Sequence, residues 1–188
     1  MLELIIYIIT MAITPGPNTI LSMANAAAVG LRKGIRLNIG MLIGITAVTA
    51  IAWLLSEFVY MVLPQAETAM RVLAAAYLLY LAWKMLRQKD IEDRSGSTTL
   101  LQGMLLQLVN FKVYLLALTA ISAYIMPMSE STAETLLISS MIPLICFVSG
   151  LVWAVCGSLL KNLYSRYRKV FSAIFALALL WCAFRMFQ

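Results

Sequence analysis

Thr14-Pro15-Gly16-Pro17-Asn18 interrupts a stretch, roughly residues 2–28, that otherwise reads as a membrane-spanning helix. The two prolines lack a backbone N–H, and the glycine between them relaxes the local φ/ψ restraint. Carbonyls freed in this way need new partners, because hydrocarbon offers no water to take them. A broken helix at membrane depth is tolerated where it is buried in protein or lines a wet cavity. In secondary transporters such breaks are where substrates and ions bind.

The rest of the chain agrees with a membrane setting. Of its 188 residues 63% are hydrophobic and 12% charged, and mean hydropathy is +0.93. A soluble domain is nearer half apolar and a quarter charged. The apolar residues come in runs near the ~20 residues that span a bilayer. Six such runs are expected, at about 2–28, 37–63, 69–86, 100–126, 136–160 and 170–187. The expectation is an all-α integral membrane protein of one transmembrane domain, with little chain left over for a soluble one. Glu3 near the start, the lack of an early Lys or Arg, and the Thr-Pro-Gly-Pro centre make the first run a retained helix rather than a cleaved signal.

Charge sets the expected orientation. Arg32, Lys33 and Arg36 follow the first run; Lys84, Arg87, Lys89 and Arg94 follow the third; Lys161, Arg166, Arg168 and Lys169 follow the fifth. The alternate connections carry Glu57, Glu67, Glu130 and Glu134, with Arg71 the one base nearby. The positive-inside rule then puts both termini outside, N-out/C-out, and the basic connections in the cytoplasm. The formal charge of +6 is thus a topology signal and a contact for anionic lipid headgroups, not a nucleic-acid footprint.

Residues 87–99 form a short polar linker at the middle, dividing a first half (1–86) from a second (100–188). The halves echo each other. Leu78-Leu79-Tyr80-Leu81-Ala82-Trp83-Lys84-Met85 resembles Leu179-Leu180-Trp181-Cys182-Ala183-Phe184-Arg185-Met186. The first run of each half also carries a polar interruption: Thr14–Asn18 in one, and Gln107, Asn110 and Lys112 in the other. Three helices per half force opposite orientations, the inverted-repeat design that binds substrate near the midplane.

Lys112 is the one charge deep in a run. It lies about 18 Å along a helix that starts near Leu100, close to the centre of a ~30 Å hydrocarbon core. A lysine there costs at least ~2.5 kcal/mol and normally faces a cavity or a partner. It can hold a substrate carboxylate, exchange a proton during transport, or cap helix-end carbonyls freed by the first break. Asn18 and Asn110 can bind an amino-acid head group or bolt helices together, since an amide donates and accepts at once. Thr14 can join them or back-bond its own helix. Gln107 shares their face one turn earlier.

Gly30 and Gly34 precede Gly40-Met41-Leu42-Ile43-Gly44, a G-x-x-x-G that favours close helix packing and allows a homodimer. No strand precedes it and no Gly-Lys-Ser/Thr follows, so a phosphate loop is not supported. Cys146, Cys156 and Cys182 read as apolar filler. With no histidine in the chain, imidazole metal sites and His-based catalysis drop out, and neither a metal nor another cofactor is expected.

Thr14–Asn18, Gly30, Gly34, Gly40, Gly44 and Val109-Asn110-Phe111-Lys112 together resemble the LysE/RhtB amino-acid exporter family. The likeness covers the whole chain and is greatest to its bacterial cysteine/O-acetylserine exporters, which share Gln107-Leu108-Val109-Asn110 and the style of Arg166–Phe187. Phe111 stands where the family usually has proline, which implies a milder second break. The resemblance implies a bacterial inner-membrane exporter of small neutral amino acids, cysteine-, O-acetylserine- or homoserine-like in size, driven by the proton motive force. The competing readings are a passive channel, a membrane enzyme and an assembly partner whose lysine pairs with another chain.

Overall fold

The computed structural model describes residues 1–54 and 100–185 and, between them, residues 69, 72–73, 75–80, 82–83 and 86. Among the described residues the chain is helical, with no strand. Helices α1 (Leu2–Ile13) and α2 (Pro17–Val29) flank the first break, and α3 (Leu31–Leu54) follows. Helix α4 (Leu100–Val109) meets α5 (Phe111–Thr119), which runs on through a π-helical stretch, Ala120–Ile125, to Met128. Then come α6 (Thr132–Ser139), α7 (Met141–Leu159), the short α8 (Lys161–Arg166) and α9 (Arg168–Arg185).

Among the described residues three stretches are long and apolar enough to cross a bilayer: Leu31–Leu54, Phe111–Met128 and Thr132–Leu159. The pair α1 and α2 makes a fourth if taken as one span bent by 54°. Residues 69–86 lie only partly within the described residues, where they are helical. The linker 87–99 and the charges at Glu57, Glu67, Arg71, Lys84, Arg87, Lys89 and Arg94 lie outside them.

Several boundaries differ from expectation. The second span starts at Leu31 rather than near 37, so Arg32, Lys33 and Arg36 ride on the first two turns of α3 instead of a loop. Gly30 makes this possible. Its φ of 83° and ψ of 164° fall in a region essentially reserved for glycine, and the chain turns from α2 into α3 through that one residue. Gly30→Ala is expected to cost ~1–3 kcal/mol, read as a lower unfolding midpoint of the purified protein. The fourth span is two helices with a junction at Asn110, and the fifth has a step at Ser140. At the start of α6 the Ser131 hydroxyl accepts from the Glu134 N–H (3.2 Å) and the Glu134 carboxylate accepts from the Glu130 N–H (2.8 Å), a helix-start pattern that also places an acid against the dipole.

Polarity is arranged inside out. Ser22, Asn25, Asn38, Gln107, Asn110 and Ser149 are buried. Apolar stripes face outward instead: Leu2, Ile6, Ile9 and Ile13 on α1, and Leu144, Val148, Val152, Val155 and Leu159 on α7. Contiguous exposed apolar faces of this kind mark contact with lipid. One core cluster joins α1 (Leu4, Ile8), α3 (Ile45, Val48, Ala52), α5 with its π extension (Val113 to Ile125) and the α6–α7 step (Ile138, Ile142). Tyr7 and Tyr124 stack beside it with ring centroids 5.4 Å apart.

The crossing of α3 and α4 brings backbones into direct contact. A Cβ on Gly40 would sit 2.0 Å from the Leu100 carbonyl oxygen, and one on Gly103 2.2 Å from that of Leu37. Gly44 rests against Gln107 and the Met104 carbonyl, while Gly34 packs on Ala26 and Asn25. The G-x-x-x-G face is therefore occupied by α4 of the same chain and does not offer itself to a second copy.

Candidate functional site

The first break spans Thr14 to Gly16. Its donors are few, since Pro15 and Pro17 have none, and the Gly16 N–H is taken by the Thr19 hydroxyl at 2.9 Å. Three of its freed carbonyls find partners in the second half of the chain. Ala12 C=O accepts from the Ser149 hydroxyl (3.0 Å), Ile13 C=O from the Trp153 indole N–H (3.3 Å), and Thr14 C=O from the Lys112 ammonium (3.3 Å). The Thr14 hydroxyl turns back to Thr10 C=O, so Thr14 contributes its main chain, not its side chain. Proline at the first position of α2 fits a helix start. Gly16 at its N-cap has no side chain with which to close it.

The second break is a single residue. Asn110 has extended backbone (φ −86°, ψ 98°), and its side-chain oxygen accepts from the Lys112 N–H at 3.1 Å. An asparagine N-cap starts a new helix without help from proline. Phe111 is thus no obstacle to a break, although this one is shorter than the first.

The two breaks touch. The Asn110 amide N–H donates to the Asn18 amide oxygen (3.0 Å), and the Asn18 amide N–H donates to the Gln107 amide oxygen (2.9 Å). Gln107, Asn18 and Asn110 form a chain of amides across the join between the halves. Gln107 and Asn110 are 2% exposed, a depth at which unpaired amides would cost 1–3 kcal/mol each. Each asparagine keeps one amide N–H outside this chain. Lys112 keeps more: an ammonium has three donors, and one goes to Thr14.

All five polar residues expected at a site therefore lie together. They wall a cavity of about 60 Å³, room for roughly four to six waters. Gly16, Pro17 and Thr19 bring the uncapped start of α2 to the same wall, and Met41, Ile45, Leu116 and Cys146 supply an apolar side. The cavity thus joins a cation, the positive end of a helix dipole and several amides to an apolar surface. That combination suits a small zwitterion or anion.

Asn38 on α3 and Ser22 on α2 escaped the reading of the sequence. Asn38 lines the cavity and accepts from the Ser22 hydroxyl at 2.8 Å. A span beginning near 37 leaves Asn38 at its very end; the earlier start of α3 puts it two turns inside. Ser149 and Trp153 were also missed, since a lone serine or tryptophan in an apolar helix carries no signal of a carbonyl across the bundle.

A bundle with apolar faces outward, polar residues inward and two helix breaks meeting at a cavity with one polar wall has the build of a membrane transporter. The chain belongs to the LysE type translocator family, which matches residues 9–187, and it is accordingly a transporter and not an enzyme. It is also similar to the cysteine/O-acetylserine efflux proteins of Escherichia coli (strain K12) and Shigella flexneri serotype 5b (strain 8401). Each is 30% identical over 183 residues, covering 96% of this chain and 94% of theirs. No solved structure matches.

Proposed function

We propose that the protein is a secondary exporter that carries small neutral amino acids or their derivatives out of the cytoplasm, driven by the proton motive force. The convergence of Lys112 and the uncapped start of α2 on one cavity carries this reading. The ammonium donors left after Thr14 and the first N–H groups of α2 take the substrate carboxylate, two charge-assisted contacts in a desolvated place. The spare amide N–H groups of Asn18 and Asn110 orient it, with Gln107 holding Asn18. The small cavity volume favours a small substrate, and so do the names of the relatives, which are efflux proteins for cysteine and O-acetylserine.

In this reading the chain sits in a bacterial inner membrane as six spans, N-out/C-out, with the halves as inverted repeats. The two broken helices, one per half and joined by the Asn18–Asn110 contact, are the support for that symmetry. Rocking of one half against the other opens the cavity to either side in turn.

Everted membrane vesicles test the proposal. When energised, they are expected to accumulate a radiolabelled small neutral amino acid against its gradient, and an uncoupler should return uptake to the equilibrium level. Flux that only follows the gradient, with or without the uncoupler, would mean a passive channel instead.

A further inference from the structure

Asn38 is 1% exposed, lines the cavity and has a side-chain N–H₂ with no hydrogen-bond partner among the described residues. Its surroundings hold it in place. The Ser22 hydroxyl bonds the amide oxygen (2.8 Å) and also lies 2.8 Å from the Gly150 carbonyl. A Cβ on residue 150 would sit 2.9 Å from the same amide oxygen, so glycine there leaves the amide its room. Three helices, α2, α3 and α7, thus build a held amide whose donor end is left over, shut off from solvent in this conformation. Leaving such a donor unpaired costs about 1–3 kcal/mol, more than a merely structural amide would forgo when a smaller apolar residue could fill the space.

The position along α2 says what that donor meets. Asn18, beside the proposed carboxylate contacts, and Ser22, which holds Asn38, are four residues apart on one helix face. That is about 6 Å of rise, close to the reach of a small amino acid from its carboxylate to the tip of its side chain. We propose that Asn38 is the specificity-determining residue of the cavity, donating to an oxygen or sulfur acceptor on the substrate side chain. The inference rests on the transport reading above and adds the substrate class: neutral amino acids with a hydroxyl, acyl or thiol acceptor, over aliphatic ones of the same shape. A site built to hydrogen-bond such an atom rejects the isostere lacking it more strongly than an apolar pocket rejects an added hydroxyl.

Binding to the purified full-length protein tests this with two isosteric pairs, serine against 2-aminobutyrate and homoserine against norvaline. In the wild type the hydroxylated member of at least one pair is expected to bind about 10-fold more tightly. In Asn38→Ala that ratio should fall to near one through loss of the hydroxylated member. Ser22→Ala keeps the amide but removes its anchor, and an intermediate ratio is expected; it serves as the test variant if Asn38→Ala does not fold. Binding of amino acids without a preference in either pair overturns this inference alone, as does an unchanged ratio in Asn38→Ala or an equal loss of both members. A wild type that binds none of the four overturns it together with the transport reading.

Discussion

Lys112→Ala is expected to reach the membrane in normal amount and to export its substrate roughly 30 to 5,000 times more slowly than the wild type. The range is the 2–5 kcal/mol lost when one partner of a desolvated charge pair is truncated. Lys112 also ties Thr14 C=O across the break, so the variant alone would not separate anchoring a carboxylate from bracing α1. Decarboxylated analogues make the separation. If Lys112 binds the carboxylate, such amines compete poorly with substrate in the wild type, and Lys112→Ala narrows the gap between amino acid and amine. The measurements are efflux from preloaded cells, immunoblotting of membranes and competition by the amines. Wild-type efflux from Lys112→Ala would remove the lysine from the site.

Gly103→Val is expected to be among the most disruptive single changes in the bundle. The added Cβ would fall 2.2 Å from Leu37 C=O and 2.8 Å from the Met41 N–H nitrogen, backbone atoms that no rotamer change can move. The helices must separate, at a cost of about 3 kcal/mol or more. Gly40→Val meets the same obstacle from the other side at Leu100 C=O. Both should lower the yield of monodisperse protein and its unfolding midpoint in detergent. Ile43→Val, on an exposed face of α3, should do neither. A Gly103→Val protein with a wild-type midpoint would show that α3 and α4 are not in backbone contact.

The parts of this molecule that were legible in sequence are those whose chemistry is out of place in hydrocarbon. Two prolines around a glycine, a deep lysine and the amides of Asn18, Gln107 and Asn110 stand out against apolar runs, and the structure gathers all of them but Pro15 around one cavity. Boundaries were harder to read. Arg32, Lys33 and Arg36 depress local hydropathy, so the span seemed to begin near 37 although the backbone is helical from Leu31. That shift hid Asn38. The rest was hidden because it is relational. Gly103 resembles any small residue until Leu37 C=O is found 2.2 Å from where its Cβ would be. Ser149 and Trp153 acquire their role only from the carbonyls of Ala12 and Ile13. The Asn110 break lacks the proline that would announce it, because a side-chain N-cap does the same work by hydrogen bonding.

The way the first break is satisfied also has a consequence for biogenesis. Three of its freed carbonyls, on Ala12, Ile13 and Thr14, are held by side chains that the ribosome makes about 100 to 140 residues later. The first span leaves the translocon with its polar main chain unsatisfied and must stay sheltered, or straightened, until Lys112 and then Ser149 and Trp153 arrive. The amino-terminal half therefore reaches its final form last, and a chain truncated before residue 149 presents an unfinished helix end to lipid and to the proteases that survey it.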